Sequence, residues 1–127
     1  MRPSDTLTSV KPFWDPYVRT SAAAYKLPYS LVRGIIWIES TDNPGARSPV
    51  GALGLMQIMP IWAKRGEDLY DPETNILRGC FILAACFAKT KSWPQAISMY
   101  NGSLSWTGYI KNPVYVLQVF NAQQNYA

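Results

Sequence analysis

The chain has 127 residues, 48% of them hydrophobic and 16% charged, which is the composition of a globular protein large enough to bury one core. Its net charge is +4 and it contains no histidine, which excludes Ser-His-Asp and Cys-His catalysis and every His-containing metal site. The longest apolar run, Cys80 to Ala88, falls far short of the roughly 20 residues a membrane span needs, and the opening MRPSDTLTSVKPFWDP lacks the apolar stretch of a signal peptide.

In chain order, residues 1–13 read as an N-terminal extension of a single domain occupying 1–127. Prolines then punctuate a series of helices. Asp15-Pro16, Asp71-Pro72 and Asn112-Pro113 each pair an N-cap residue with a proline suited to the first helical position. Pro28, Pro60 and Pro94 open further helices with poorer caps. After Pro28 the apolar residues Leu31, Ile35 and Ile38, then Val32 and Ile36, fall at helical spacing. After Pro72 two stripes interleave, Ile76, Cys80, Leu83, Phe87 and Leu77, Phe81, Ala84, Ala88, which predicts a helix buried on nearly all sides. Cys80 and Cys86 on that helix lie about 9 Å apart at ~1.5 Å per residue, too far for a disulfide. Between the helices, Thr41 to Gly54 is a long loop with a strong turn signal at Asn43-Pro44-Gly45. The expected fold is all-α, with five to seven short helices and room for one hairpin in that loop.

Among the acids Glu39 stands out. It continues the stripe Val32, Ile36 and so takes the place of the next core residue. Burial disfavours its charged form, and so does the negative end of the helix it closes; both effects suit a general acid at neutral pH. Asp15 and Asp71 are read as N-caps, Glu73 as a first-turn acid, and Glu67 and Asp68 as a solvated pair. Every acid lies at or before Glu73, so Asp42 is the one partner near Glu39 in sequence. Met56 and Met59 could be core or cleft. Trp14, Trp37, Trp62, Trp93 and Trp106 are not sorted between a core and a sugar-stacking role.

Residues 31–60, LVRGIIWIESTDNPGARSPVGALGLMQIMP, resemble the signature region of the soluble lytic transglycosylase family, relatives of goose-type lysozyme that cleave bacterial peptidoglycan. The marks are Glu39-Ser40, Ser48, Gly51-Ala52, Gly54-Leu55-Met56-Gln57 and Met59-Pro60. Asp71-Pro72 with Asn75-Ile76 and Gly79, Tyr100-Asn101-Gly102, and Tyr115 with Val119 follow in the same order. The resemblance implies a lysozyme-like α fold with Glu39 as catalytic acid/base. It further implies that Ser48 bonds near Glu39 or the substrate acetamido group, and that Tyr100 sets the orientation or proton affinity of Glu39. Gln57, Met59 and Asn101 would contact the glycan, with Tyr115 a lesser cleft residue. Ser98-Met99 and Gly102-Ser103 depart from the small residues that usually flank the Tyr-Asn pair.

The implied reaction cleaves the MurNAc-β-1,4-GlcNAc bond and leaves 1,6-anhydro-MurNAc ends. It needs no metal or cofactor, and its partner is the glycan strand rather than nucleic acid or a membrane, with the chain a monomer. The alternatives are a goose-type hydrolase of peptidoglycan or chitin in which Asp42 helps a water attack, and an inactive glycan-binding wall component. The expected place of action is the bacterial wall, in the periplasm. The chain would reach it as a holin-released or virion-borne phage enzyme, or as a trimmed form of an exported one.

Overall fold

The computed structural model describes residues 11–127, so residues 1–10 of the expected extension, Asp5 included, lie outside the described residues. Among the described residues five α-helices follow in order: α1 (Asp15–Ala24), α2 (Tyr29–Ser40), α3 (Pro72–Thr90), α4 (Trp93–Tyr100) and α5 (Pro113–Gln123). Single 3₁₀ turns occupy Pro60–Trp62 and Gln124–Tyr126. Among the described residues there is no strand, only isolated antiparallel bridges: Arg47 with Leu53, Leu53 with Ile58, and Leu104 with Ile110. The all-α expectation holds, and in place of a regular hairpin the long loop carries the Arg47–Leu53 bridge, with Leu53 also bridged to Ile58 just beyond it.

Proline and cap chemistry set most of the helix starts. Asp71 accepts from the Thr74 amide at 3.0 Å, Ser92 from Gln95 at 3.4 Å and Asn112 from Tyr115 at 3.2 Å, each followed by a proline in the first turn. Asp15 is different. It is the first helical residue rather than the cap, and its side chain is buried against Arg33, at 2.8 Å, and the Tyr29 hydroxyl. A carboxylate with a buried guanidinium beside it forms a charge-assisted pair in preference to capping its own helix. Pro60 yields one 3₁₀ turn instead of a helix, because the backbone is extended at both Met59 and Ala63.

The core gathers Trp14 and Val18 of the α1 region, Leu31, Val32, Ile35 and Ile36 of α2, Ile76, Cys80 and Leu83 of α3, Ile97 of α4 and Val119 of α5. The most enclosed helix is α2, where every residue from Leu31 to Ile36 is buried. The helix α3 is less enclosed than its two stripes predict. Ile76, Cys80 and Leu83 are buried, but Leu77 and Phe81 on the second stripe are about two-fifths exposed. Tyr25 covers that side only edge-on, with ring centroids 6.1 Å apart. Both cysteines are free and buried, and burial pushes the Cys80 thiol up to about 12.

One close approach matters for the site. A Cβ on Gly34 of α2 would lie 2.9 Å from the Gln123 amide and 3.0 Å from the Val119 carbonyl, both on α5. Glycine therefore lets α5 settle directly onto α2, the helix that carries Glu39.

Candidate active site

Glu39 is the penultimate residue of α2 and half-buried, and among the described residues no cation is paired with it. The next residues, Thr41 and Asp42, both take left-handed backbone conformations, φ +53° and +61°, and turn the chain sharply into the long loop. Ser40 turns inward and donates to the Ile36 carbonyl at 3.0 Å. Across from α2, the Tyr115 hydroxyl on α5 donates to Glu39 Oε2 at 2.5 Å. Burial raises the Glu39 carboxyl above its ordinary 4.5, and the Tyr115 hydrogen bond pulls it partly back. Tyr115 is itself pushed far up, by burial first and then by the Glu39 charge, so it remains a donor at neutral pH.

A second tyrosine stands beside this pair on different business. The Tyr100 hydroxyl, at the end of α4, donates to the Met56 carbonyl at 2.7 Å. Burial, and after it the nearby Glu39 charge, raises its proton affinity. The Met56 backbone is gripped from the other end as well, since the buried Asn75 side chain of α3 accepts from the Met56 amide at 2.8 Å. Asn75 also donates to the Leu53 and Leu69 carbonyls, both at 2.8 Å. Gly54 completes the clamp: its φ is +76°, and a Cβ there would sit 2.4 Å from the Asn75 amide nitrogen. Asn75 thus fixes the Leu53–Met56 turn onto α3, and Tyr100 locks that turn to α4.

The remaining sequence-predicted residues divide between loop architecture and open surface. Ser48 Oγ accepts from the Ala52 amide at 3.0 Å, closing the loop on itself. Gln57, at φ +53°, donates to the Gly54 and Ala46 carbonyls at 3.0 and 3.3 Å. Met56 is fully buried and Met59 is 39% exposed, which separates two methionines that sequence left together. Asn101 is exposed and donates to Ser103 Oγ at 3.2 Å. The structure therefore brings Tyr115, with Tyr100 behind it, to Glu39, while Ser48 and Gln57 shape the loop.

Asp42 is paired with another residue. Its Oδ2 lies 3.6 Å from the buried Arg33 guanidinium, which also holds Asp15. Burial raises the Asp42 carboxyl and the Arg33 charge offsets part of that rise. Glu67, expected to be solvated, is partly exposed and also takes two hydrogen bonds from Arg78, at 3.0 and 2.9 Å.

The family model described as the transglycosylase SLT domain matches residues 16–112. The chain belongs to that SLT family. A membrane-bound lytic murein transglycosylase E from Buchnera aphidicola is 40% identical over 76 residues, half of this chain and 34% of that protein. A transglycosylase from Enterobacteria phage PRD1 is 36% identical over 91 residues, covering 70% of this chain and again 34% of the relative. The chain thus spans about a third of the length of these relatives. Among solved structures, a 70-kDa soluble lytic transglycosylase in complex with bulgecin A superposes with a TM-score of 0.73 at 24% identity, covering 90% of this chain and 24% of that one. At that identity the likeness speaks for the fold, which is the SLT fold.

Within this SLT fold the direct partner of Glu39 is Tyr115, not Tyr100. Glu39 and Tyr115 are separated by 76 residues and meet because α5 packs closely on α2, at Gly34 and through the Gln123–Ser30 hydrogen bond of 3.1 Å. A hydroxyl that donates to the carboxylate favours its charged form. Tyr115→Phe should therefore raise the Glu39 proton affinity further and move the alkaline limb of the pH–rate profile to higher pH. The maximal rate should fall about 10- to 100-fold as the carboxyl loses its orientation. A pH–rate profile with an unshifted alkaline limb would show that the hydrogen bond does not tune Glu39.

Proposed function

We propose that the chain is a peptidoglycan lytic transglycosylase in which Glu39 is the single general acid/base. The observation that carries this reading is one half-buried carboxyl, held by a tyrosine, while each other described acid has separate employment. Asp15 and Asp42 serve Arg33, Glu67 serves Arg78, Asp68 and Asp71 accept from the Tyr70 and Thr74 amides, and Glu73 sits in the first turn of α3. A retaining hydrolase needs a nucleophile, usually a carboxylate, about 5–5.5 Å from the acid, and an inverting one needs a base about 6.5–9.5 Å away. Asp42, the nearest candidate in sequence, is bound to Arg33.

The chemistry that one acid can complete is as follows. Protonated Glu39 gives its proton to the glycosidic oxygen as the bond to the anomeric carbon of the muramic acid breaks. The acetamido oxygen of the same sugar holds the electron-poor carbon. Glu39, now a carboxylate, takes the proton of the 6-hydroxyl as that oxygen attacks the carbon and displaces the acetamido oxygen. The acid is regenerated and no water is consumed. The 6-hydroxyl is already tethered to the reacting ring, so its effective concentration exceeds that of a poorly held water. Tyr115 keeps the carboxyl aimed through both halves, and Met59 and Asn101 offer exposed surface to the strand. The site of action is the bacterial wall, in the periplasm.

Mass spectrometry of the muropeptides released from purified sacculi tests the reading. Expected are 1,6-anhydromuramoyl ends, one water lighter than hydrolytic ones, in the same proportion for the wild type and Asp42→Asn. Reducing-end muramic acid as the main product, together with an inert Asp42→Asn, would establish a goose-type hydrolase instead.

A further inference from the structure

The structure separates three of the five tryptophans, and Trp106 has no structural use. Trp14 is 2% exposed in the core, and Trp93 stacks on Phe87 with centroids 4.0 Å apart. Trp106 is 97% exposed, and Tyr109, three residues on, is 70% exposed. Large aromatic surface left in water costs solvation free energy and marks a contact made with something else. Both residues lie on the connection between α4 and α5.

That connection is tightly built. Leu104 and Ile110 bridge, and the Ser105 amide donates to the Tyr109 carbonyl at 2.8 Å. Ser105 Oγ accepts from the Tyr109 amide at 2.8 Å, and Gln95 of α4 donates to the Gly108 carbonyl at 3.0 Å. At its root Ser103 donates from its amide to the Ser98 carbonyl at 2.9 Å, with the two hydroxyls 3.2 Å apart. These are the positions at which the sequence departs from the usual surroundings of the Tyr-Asn pair. A rigid loop that holds aromatic rings in water has already met the ordering cost of binding.

Its placement identifies the ligand. The loop leaves α4 directly after Tyr100, whose hydroxyl holds the Met56 carbonyl near Glu39, and enters α5 just ahead of Tyr115, which bonds Glu39. The loop is therefore flanked on both sides by tyrosines that reach the region of the proposed acid, and on the lytic reading a strand bound at Glu39 extends beside the loop. From this we infer that the 104–110 loop is an outer sugar site, with Trp106 as a stacking platform for the C–H face of a pyranose several rings from the cleaved bond. The ligand is a β-1,4-linked N-acetylhexosamine strand. The inference rests on the lytic reading for the direction in which the strand runs. A lipid surface is disfavoured because the whole 101–112 segment carries one cation, Lys111, and is otherwise rich in hydroxyls and amides.

The test uses the full chain with Glu39→Gln, so that ligand is not consumed, and β-1,4 N-acetylglucosamine oligomers from the disaccharide to the hexasaccharide. Trp106→Ala should weaken the hexasaccharide about tenfold, equivalent to ~1.4 kcal/mol, with the loss growing with oligomer length. Trp106→Phe, which keeps a ring face, should recover most of the affinity. Equal hexasaccharide affinity with and without Trp106, or no oligomer binding by the parent, would overturn the site. So would Trp106-dependent flotation with phosphatidylglycerol-containing vesicles in place of a length-dependent sugar effect. Wall digestion by the unmodified chain is scored separately. Digestion with Trp106-independent binding removes the outer site alone, whereas length-dependent binding without digestion removes the lytic reading alone.

Discussion

Glu39→Gln is expected to lower the rate of wall clearing by at least about 100-fold while the protein stays folded. The amide keeps the shape and can still accept from Tyr115, but it can neither give a proton to the glycosidic oxygen nor take one from the 6-hydroxyl. The stability effect has the opposite sign. In the folded protein burial raises the carboxyl above 4.5, so the native state binds its proton more tightly than the unfolded chain does. Glu39 therefore costs nothing below the unfolded value, and stability is lost as pH rises from 4.5 through the folded value. Glutamine removes that loss. Thermal unfolding should show the variant at least as stable as wild type at neutral pH, with its advantage vanishing in acid. A folded variant with near-wild-type clearing would end the assignment. A large drop in melting temperature would make Glu39 a structural residue.

The path from sequence to site was legible where the signal is local. Prolines with capping neighbours mark α3 and α5 because caps and fixed φ act within one turn. Glu39 shows itself because a carboxylate on an apolar stripe conflicts with its surroundings, and that conflict survives in the fold as a raised proton affinity. What the sequence conceals is pairing across distance. Tyr100 and Tyr115 are the same residue type, on consecutive helices, and nothing in their neighbours tells which hydroxyl reaches Glu39. The answer depends on Gly34 and the separation it permits between α2 and α5. Asp15 misleads for the same reason. Its local context is a helix cap, and the buried Arg33 that claims it lies 18 residues away. Asn75 carries the largest hidden role, since only the family resemblance drew attention to it and no spacing announces three backbone partners.

Asn75→Ala should accordingly be the most destabilising single change in the site region. The side chain is fully buried and satisfies the Met56 amide and the Leu53 and Leu69 carbonyls, each at 2.8 Å. Truncation leaves the Met56 amide and the Leu69 carbonyl without their partner in a dry setting, where each unmet group costs about 1–3 kcal/mol, while the Leu53 carbonyl keeps the Ile58 amide at 2.9 Å. Partial access of water to the cavity brings the total to about 3–5 kcal/mol, a large share of the roughly 5–15 kcal/mol that holds a domain together. For a chain of this size that lowers the melting temperature by about 10–20 °C. Asn75→Asp separates hydrogen bonding from volume. It can still accept from the Met56 amide, but in its charged form it turns an acceptor toward the two carbonyls in place of a donor. It should be no more stable than the alanine variant although it fills the space. If Asn75→Asp unfolds near the wild-type temperature, the clamp is steric, and the Leu53–Met56 turn must be held by Gly54 and Tyr100 instead. The functional consequence follows from the Met56 carbonyl, which Tyr100 grips from α4. When Asn75 releases the turn, that contact loosens and the Leu53–Met56 turn, held by Tyr100 beside Glu39, moves. Clearing by the alanine variant should then fall at temperatures where its circular dichroism is still native, with the alkaline limb of its pH–rate profile unmoved because Tyr115 still bonds Glu39.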